Sequence, residues 1–128
     1  MKPSLGRVIL LVKDYDEALA FYEKNFFCRT LFDAEADGRR YLHIAFPGDE
    51  AHGIWLMQAE GEPQRRLIGS QTGGQPVLVV YVSEIERFAE HLRRNGVIIT
   101  ENLVKTPESS FFHCLDLYGN RIVVAEVH

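Results

Sequence analysis

The chain has 128 residues, of which 46% are hydrophobic and 25% charged, with a net charge of -4; this describes one soluble globular domain with a proper core. It offers no basic block for nucleic acid, and no apolar run nears the roughly 20 residues a membrane span needs. The two cysteines, Cys28 and Cys114, lack CxxC spacing and read as buried thiols of a reducing compartment, so the expected location is the cytoplasm.

Arg7 to Val12 is a branched apolar run and predicts a buried strand, too short for the core of a signal peptide. Asp14 offers an N-cap oxygen, with Glu17 as its capping-box partner. Tyr15, Ala18, Leu19, Tyr22 and Phe26 then recur at helical spacing, so a helix is expected over about 14–25. Three strands follow: Phe27 to Ala34, Arg39 to Phe46 and Gly53 to Gln58. The turn signals Ala36-Asp37-Gly38 and Pro47-Gly48-Asp49 separate them.

Residues 59–76, AEGEPQRRLIGSQTGGQP, show little periodicity and read as a connector. Within it, Gln64-Arg65-Arg66 reads as solvated chain, with a flexible flap as the alternative. The pattern then restarts. Val77 to Val82 predicts a strand, and Ser83 with Glu86 a second capping box. Ile85, Phe88, Ala89 and Leu92 stand 70 residues after Tyr15, Ala18, Leu19 and Tyr22. Asn95-Gly96 should end this helix. Val97 to Lys105, Ser110 to Leu115 and Arg121 to Val127 complete the strands, the last two joined at Tyr118-Gly119-Asn120. Tyr41-Leu42-His43 and Phe111-Phe112-His113 keep the same offset of 70. A β-α-β-β-β unit is therefore written twice, and such repeats bury together a surface neither could bury alone.

The doubled pattern, the opening VKDYDEALAFYEKNFF and the closing LDLYGNRIVVAEV resemble the vicinal oxygen chelate superfamily. That group includes glyoxalase I, extradiol dioxygenases, fosfomycin resistance enzymes and bleomycin resistance proteins. The resemblance covers essentially the whole chain and implies a single α+β domain. Two βαβββ modules, about 5–58 and about 77–128, would form curved mixed sheets around a concave pocket, with helices on the convex side. The pocket is often closed across a homodimer, so a homodimer is implied. Metal-dependent members carry ligands on the first and fourth strands of each module. Those positions fall here on Arg7, Trp55, Val77 and Val123. Arg and Trp offer only donors and Val offers nothing, so neither metal nor other cofactor is expected. No histidine lies on either first strand to restore the site.

Strand side chains alternate between faces. The ligand phase assigns Arg7, Ile9, Leu11, Trp55, Met57, Val77, Val79, Tyr81, Val123 and Ala125 to the pocket. The opposite phase, Val8, Leu10, Val12, Leu78, Val80 and Val82, should pack under the helices. The lining is apolar and aromatic, with Arg7 and the Tyr81 hydroxyl as polar handles. Trp55 could stack on an aromatic ligand, fill a dimer interface or plug the pocket. Arg7 could grip an anionic group or pair within the chain, and Tyr81 could donate a proton or serve only structure. His43 and His113 hold matching third-strand positions, as an acid–base pair or as ordinary sheet histidines. His113 and Cys114 are neighbours on a strand and face opposite sides, which excludes a dyad between them.

The expectation is thus a metal-free protein that binds an apolar or aromatic small molecule, with or without an anionic group, as antibiotic resistance proteins of this kind do. The alternative is a lyase, isomerase or dioxygenase-like enzyme with a non-standard or absent metal site. No catalytic residue is assigned, and neither nucleic acid nor membrane is an expected partner.

Overall fold

The computed structural model describes residues 1–128, which divide into two units, Met1–Arg66 and Leu67–His128. In the first unit the order is β1 (Arg7–Val12), α1 (Tyr15–Phe26), β2 (Arg29–Ala36), β3 (Arg39–Ala45), β4 (Gly53–Gln58) and α2 (Gly61–Arg65). The second contains β5 (Leu78–Tyr81), α3 (Ile85–Arg94), β6 (Ile99–Lys105), β7 (Ser109–Leu115) and β8 (Arg121–Val127). Each unit has one four-stranded mixed sheet, in the orders β1-β4-β3-β2 and β5-β8-β7-β6. The doubled βαβββ pattern is thus realised as an α+β fold, each first strand running parallel to its fourth.

In the first unit Leu10, Val12, Leu42, Ile44, Ile54 and Leu56 are buried on the face that α1 covers, with Ala18, Tyr22 and Phe26 opposite them. Asp14 caps α1 by accepting from the Glu17 N–H at 2.8 Å. Arg40 fastens this helix start to the hairpin: its guanidinium donates to both Asp33 oxygens and to Asp16, and lies over the Tyr15 ring. Hydrogen bonding to Arg40 holds the Asp33 carboxyl below its ordinary range. The second core gathers Ile85, Ala89, Leu92, Phe112, Cys114, Ile122 and Val124. Its last turn is held by buried Asp116, which accepts from the backbone of Tyr118 and Asn120 and from the Asn120 amide.

Several expectations need correction. The second strand starts at Arg29, because Phe27 takes a left-handed conformation (φ 59°) as the helix C-cap, its N–H bonded to the Tyr22 carbonyl. It extends to Ala36, and the turn sits on Asp37 and Gly38, both at positive φ as a tight hairpin requires. The connector is not featureless: Gly61–Arg65 is helical, supported by Glu62 pairing with Arg65 and Arg66. Beyond it Gly69 (φ 80°) packs directly against the Tyr118 carbonyl.

The Ser83–Glu86 capping box does not form. Glu84 is the N-cap residue without a side-chain bond, and the Glu126 carboxylate accepts from the Ile85 N–H at 3.0 Å. Glu86 turns instead to Lys105, at 2.6 Å. Val8, expected in the core, is 40% exposed at the open edge of its sheet. Leu78, Val80 and Val82 are half-buried. No helix is long and apolar enough to cross a membrane.

Candidate functional site

Opposite the helix-covered face, the sheet of the first unit carries one continuous row. Ile9 pairs with Trp55, Trp55 with His43, and His43 with Phe32, across four strands. The rings touch: Phe32–His43 centroids are 5.5 Å apart and His43–Trp55 5.4 Å. Tyr41 flanks Trp55 from the next same-face position of β3, at 5.7 Å. Ile9 (46%) and Phe32 (49%) remain exposed, so a largely apolar, ring-lined surface is presented rather than buried. Sequence alternation placed Arg7, Ile9, Leu11, Trp55 and Met57 on this face, and the pairing of Arg7 with Gly53, Ile9 with Trp55 and Leu11 with Met57 brings them together there. Phe32, Tyr41 and His43 were left out of that lining, although residue 43 shares the phase of Trp55 once the antiparallel register is known.

Arg7 is the polar corner of this face. Its Nε donates to His43 Nδ1 at 3.2 Å and its Nη1 to the Gly6 carbonyl at 2.7 Å. No carboxylate pairs with it, whereas Arg39, Arg40, Arg65, Arg66, Arg87 and Arg94 each have one. Because Nδ1 accepts, the ring proton of neutral His43 belongs on Nε2, which is buried and lacks a partner. Burial, and then the Arg7 charge, push the His43 pKa below its ordinary value.

The second unit repeats the plan with different letters. Val79 pairs with Val123, Val123 with His113, and His113 with Glu101. Tyr81 pairs with Ala125, which pairs with Phe111. Val77 joins this face just before β5, its N–H bonded to the Arg121 carbonyl. Val79 (59%) and Tyr81 (72%) are exposed on the edge strand, while Ala125 is buried between its larger neighbours. His113 Nδ1 lies 3.5 Å from Glu101, within ion-pair reach once protonated but without hydrogen-bond geometry.

The positions that would carry a metal do not fit one. The Arg7 guanidinium is a donor already engaged with His43 and Gly6, and the Trp55 indole is flanked by rings. Val77 and Val123 have no lone pair to give. Nowhere do three His, Cys, Asp or Glu side chains converge as a metal-binding group. Cys28 and Cys114 are free, buried thiols, and burial pushes both pKa values up to about 12, so neither is a nucleophile at neutral pH.

Two mixed sheets built from a repeated βαβββ unit define the class of protein. The chain belongs to the Glyoxalase/Bleomycin resistance protein/Dioxygenase superfamily, whose model matches residues 4–124. It is similar to an uncharacterised protein of Shewanella frigidimarina (strain NCIMB 400), 28% identical over 127 residues, or 94% of this chain and 90% of the relative. Among solved structures it resembles UcmS2 with a TM-score of 0.85, at 25% identity over 98% of both chains. It also resembles TnmS3, an antibiotic binding protein from Streptomyces sp. CB03234, with a TM-score of 0.82 at 19% identity, covering 99% of this chain and 98% of that one.

Proposed function

We propose that this protein binds, without a metal, an apolar or aromatic small molecule that has room for an anionic group. The observation that carries the reading is the row Trp55–His43–Phe32 with Tyr41, rings in mutual contact and partly exposed beside an Arg7 that has no carboxylate partner. Such a row suits stacking on a planar ring system, and a charge-assisted hydrogen bond to Arg7 would fix its polar edge. Arg7, Ile9, Leu11, Trp55 and Met57 are the contacts assigned in the first unit, and Val77, Val79, Tyr81, Val123 and Ala125 are the matching assignments in the second. The antibiotic binding described for TnmS3 supports drug sequestration as the setting. The exposed edge residues Val8, Ile9, Val79 and Tyr81 favour a homodimer. The free thiols favour the cytoplasm.

Trp55 is the only tryptophan, so its fluorescence reports on the site directly. Titration with bleomycin and with an anthracycline, with and without EDTA, should give saturable quenching that the chelator leaves unchanged. A bound ligand at about 100 times its dissociation constant should stabilise the fold by roughly 2.7 kcal/mol. Quenching that requires an added divalent metal overturns the proposal. So does a Trp55→Ala variant that binds as tightly by calorimetry, or the absence of quenching across a panel of flat aromatic antibiotics.

A further inference from the structure

The second unit holds a polar pair that mirrors Arg7 and His43 in an unjoined form. In the first unit Arg7 stands on β1 beside Gly53, whose missing side chain leaves the room: a Cβ there would come within 3.1 Å of Arg7 Cδ. The residue of β8 that corresponds to Gly53 is Arg121, since Ile9 pairs with Trp55 as Val79 pairs with Val123. Across from Arg121 stands Val77, the counterpart of Arg7. The repeat has therefore moved its arginine from the first strand to the fourth while keeping it at the same corner of the sheet face.

The histidine is retained as well. His113 pairs with Val123 and Arg121 with Leu115, so the two are diagonal neighbours on one face, within reach of long side chains. In the first unit the Arg Nε bonds to the His Nδ1. In the second, these same two atoms, Arg121 Nε and His113 Nδ1, are both buried and both without a partner. Buried polar groups in folded proteins are nearly always satisfied, and two orphans on one face call for one missing oxygen. Arg121 also lacks a carboxylate, and its guanidinium is cationic at any working pH.

We infer that Arg121 and His113 form an anion-binding site for a carboxylate or phenolate oxygen, which accepts from Arg121 Nε–H and from the N–H of His113 Nδ1. Glu101 pairs with His113 across β6 and β7 and brings a carboxylate to the rim of the site. This deepens the proposed function by naming the ligand's charged group, but it does not depend on aromatic stacking in the first unit.

The test uses the full chain, labelled with nitrogen-15, and two probes of one shape: 2-naphthoate and its neutral amide. The Arg121 Nε–H and His113 ring resonances should shift saturably with the acid, and the amide should leave Arg121 Nε–H in place. Arg121→Gln should weaken the acid, read at the His113 ring resonances, about tenfold or more. If Arg121 Nε–H and the His113 ring stay unmoved as the acid is added to millimolar concentration, or if Arg121→Gln binds the acid as well as the parent, the site is overturned. If Arg121 responds to the acid while neither probe affects Trp55, the anion site stands and the stacking surface falls.

Discussion

Arg7 Nε donates to His43 Nδ1 at 3.2 Å, which fixes the tautomer of the imidazole and sets a positive charge beside it. Burial and the Arg7 charge hold the folded-state pKa of His43 below the ordinary value of 6.5. The unfolded chain therefore takes up a proton near pH 6.5 that the folded chain refuses. This contribution to stability is complete above pH 6.5. It declines as pH falls, until the folded-state pKa is passed. Arg7→Met removes the charge and raises the His43 pKa, so the acid-side loss should shrink. Urea midpoints of parent and variant between pH 8 and pH 5 check this; parallel curves would refute it.

The two helix starts respond differently to similar changes. Asp14→Ala removes the oxygen that accepts from Glu17 N–H and should cost about 1 kcal/mol. Ser83→Ala should cost close to nothing, because Ser83 provides no cap. The equivalent bond comes from Glu126, so Glu126→Ala should cost about 1–2 kcal/mol, while Glu126→Gln retains an acceptor and most of the stability. Chemical denaturation of the four variants tests the ranking.

These helix starts also mark what could be read from the chain. The Asp14 cap is local, three residues from its partner, and was legible; the Glu126 cap spans 41 residues and was not. The grouping of Ile9, Trp55 and Met57 follows from alternation, since a strand's period is two, with the ligand positions of the resembling family choosing the face. Phe32, Tyr41 and His43 needed the antiparallel register, which depends on the bulge between Thr30 and Phe32. Arg121 stayed hidden because its counterpart is a glycine, and letter-by-letter matching of the repeats pairs arginine with nothing. Phe27 broke the strand pattern because a bulky residue at positive φ is rare enough to be discounted.

Both thiols should be inert in the folded protein. Cys28 and Cys114 are 5% and 0% exposed, and burial, with Glu23 beside one and Asp116 beside the other, pushes their pKa values up to about 12. Ellman's reagent at pH 8 should label neither residue in the native state, and both after denaturation in guanidinium. Rapid labelling of either one in the native state would contradict the burial described.

Gly53→Ala should couple stability to the site. A Cβ at residue 53 would lie 2.7 Å from the Ile44 carbonyl and 2.9 Å from Leu31 Cδ1, as well as crowding Arg7 Cδ. The carbonyl belongs to the neighbouring strand and cannot yield without straining the β3–β4 pairing. Overpacking of this kind costs roughly 1–3 kcal/mol. The flexible partner, Arg7, gives way first and leaves His43 Nδ1 without its donor. Gly53→Ala should therefore lower the urea midpoint and raise the His43 pKa, as Arg7→Met does. Combining the two should bring no further change in that pKa, because they act through the same bond. Histidine titration by NMR separates this from simple destabilisation, which would leave the His43 pKa where it was.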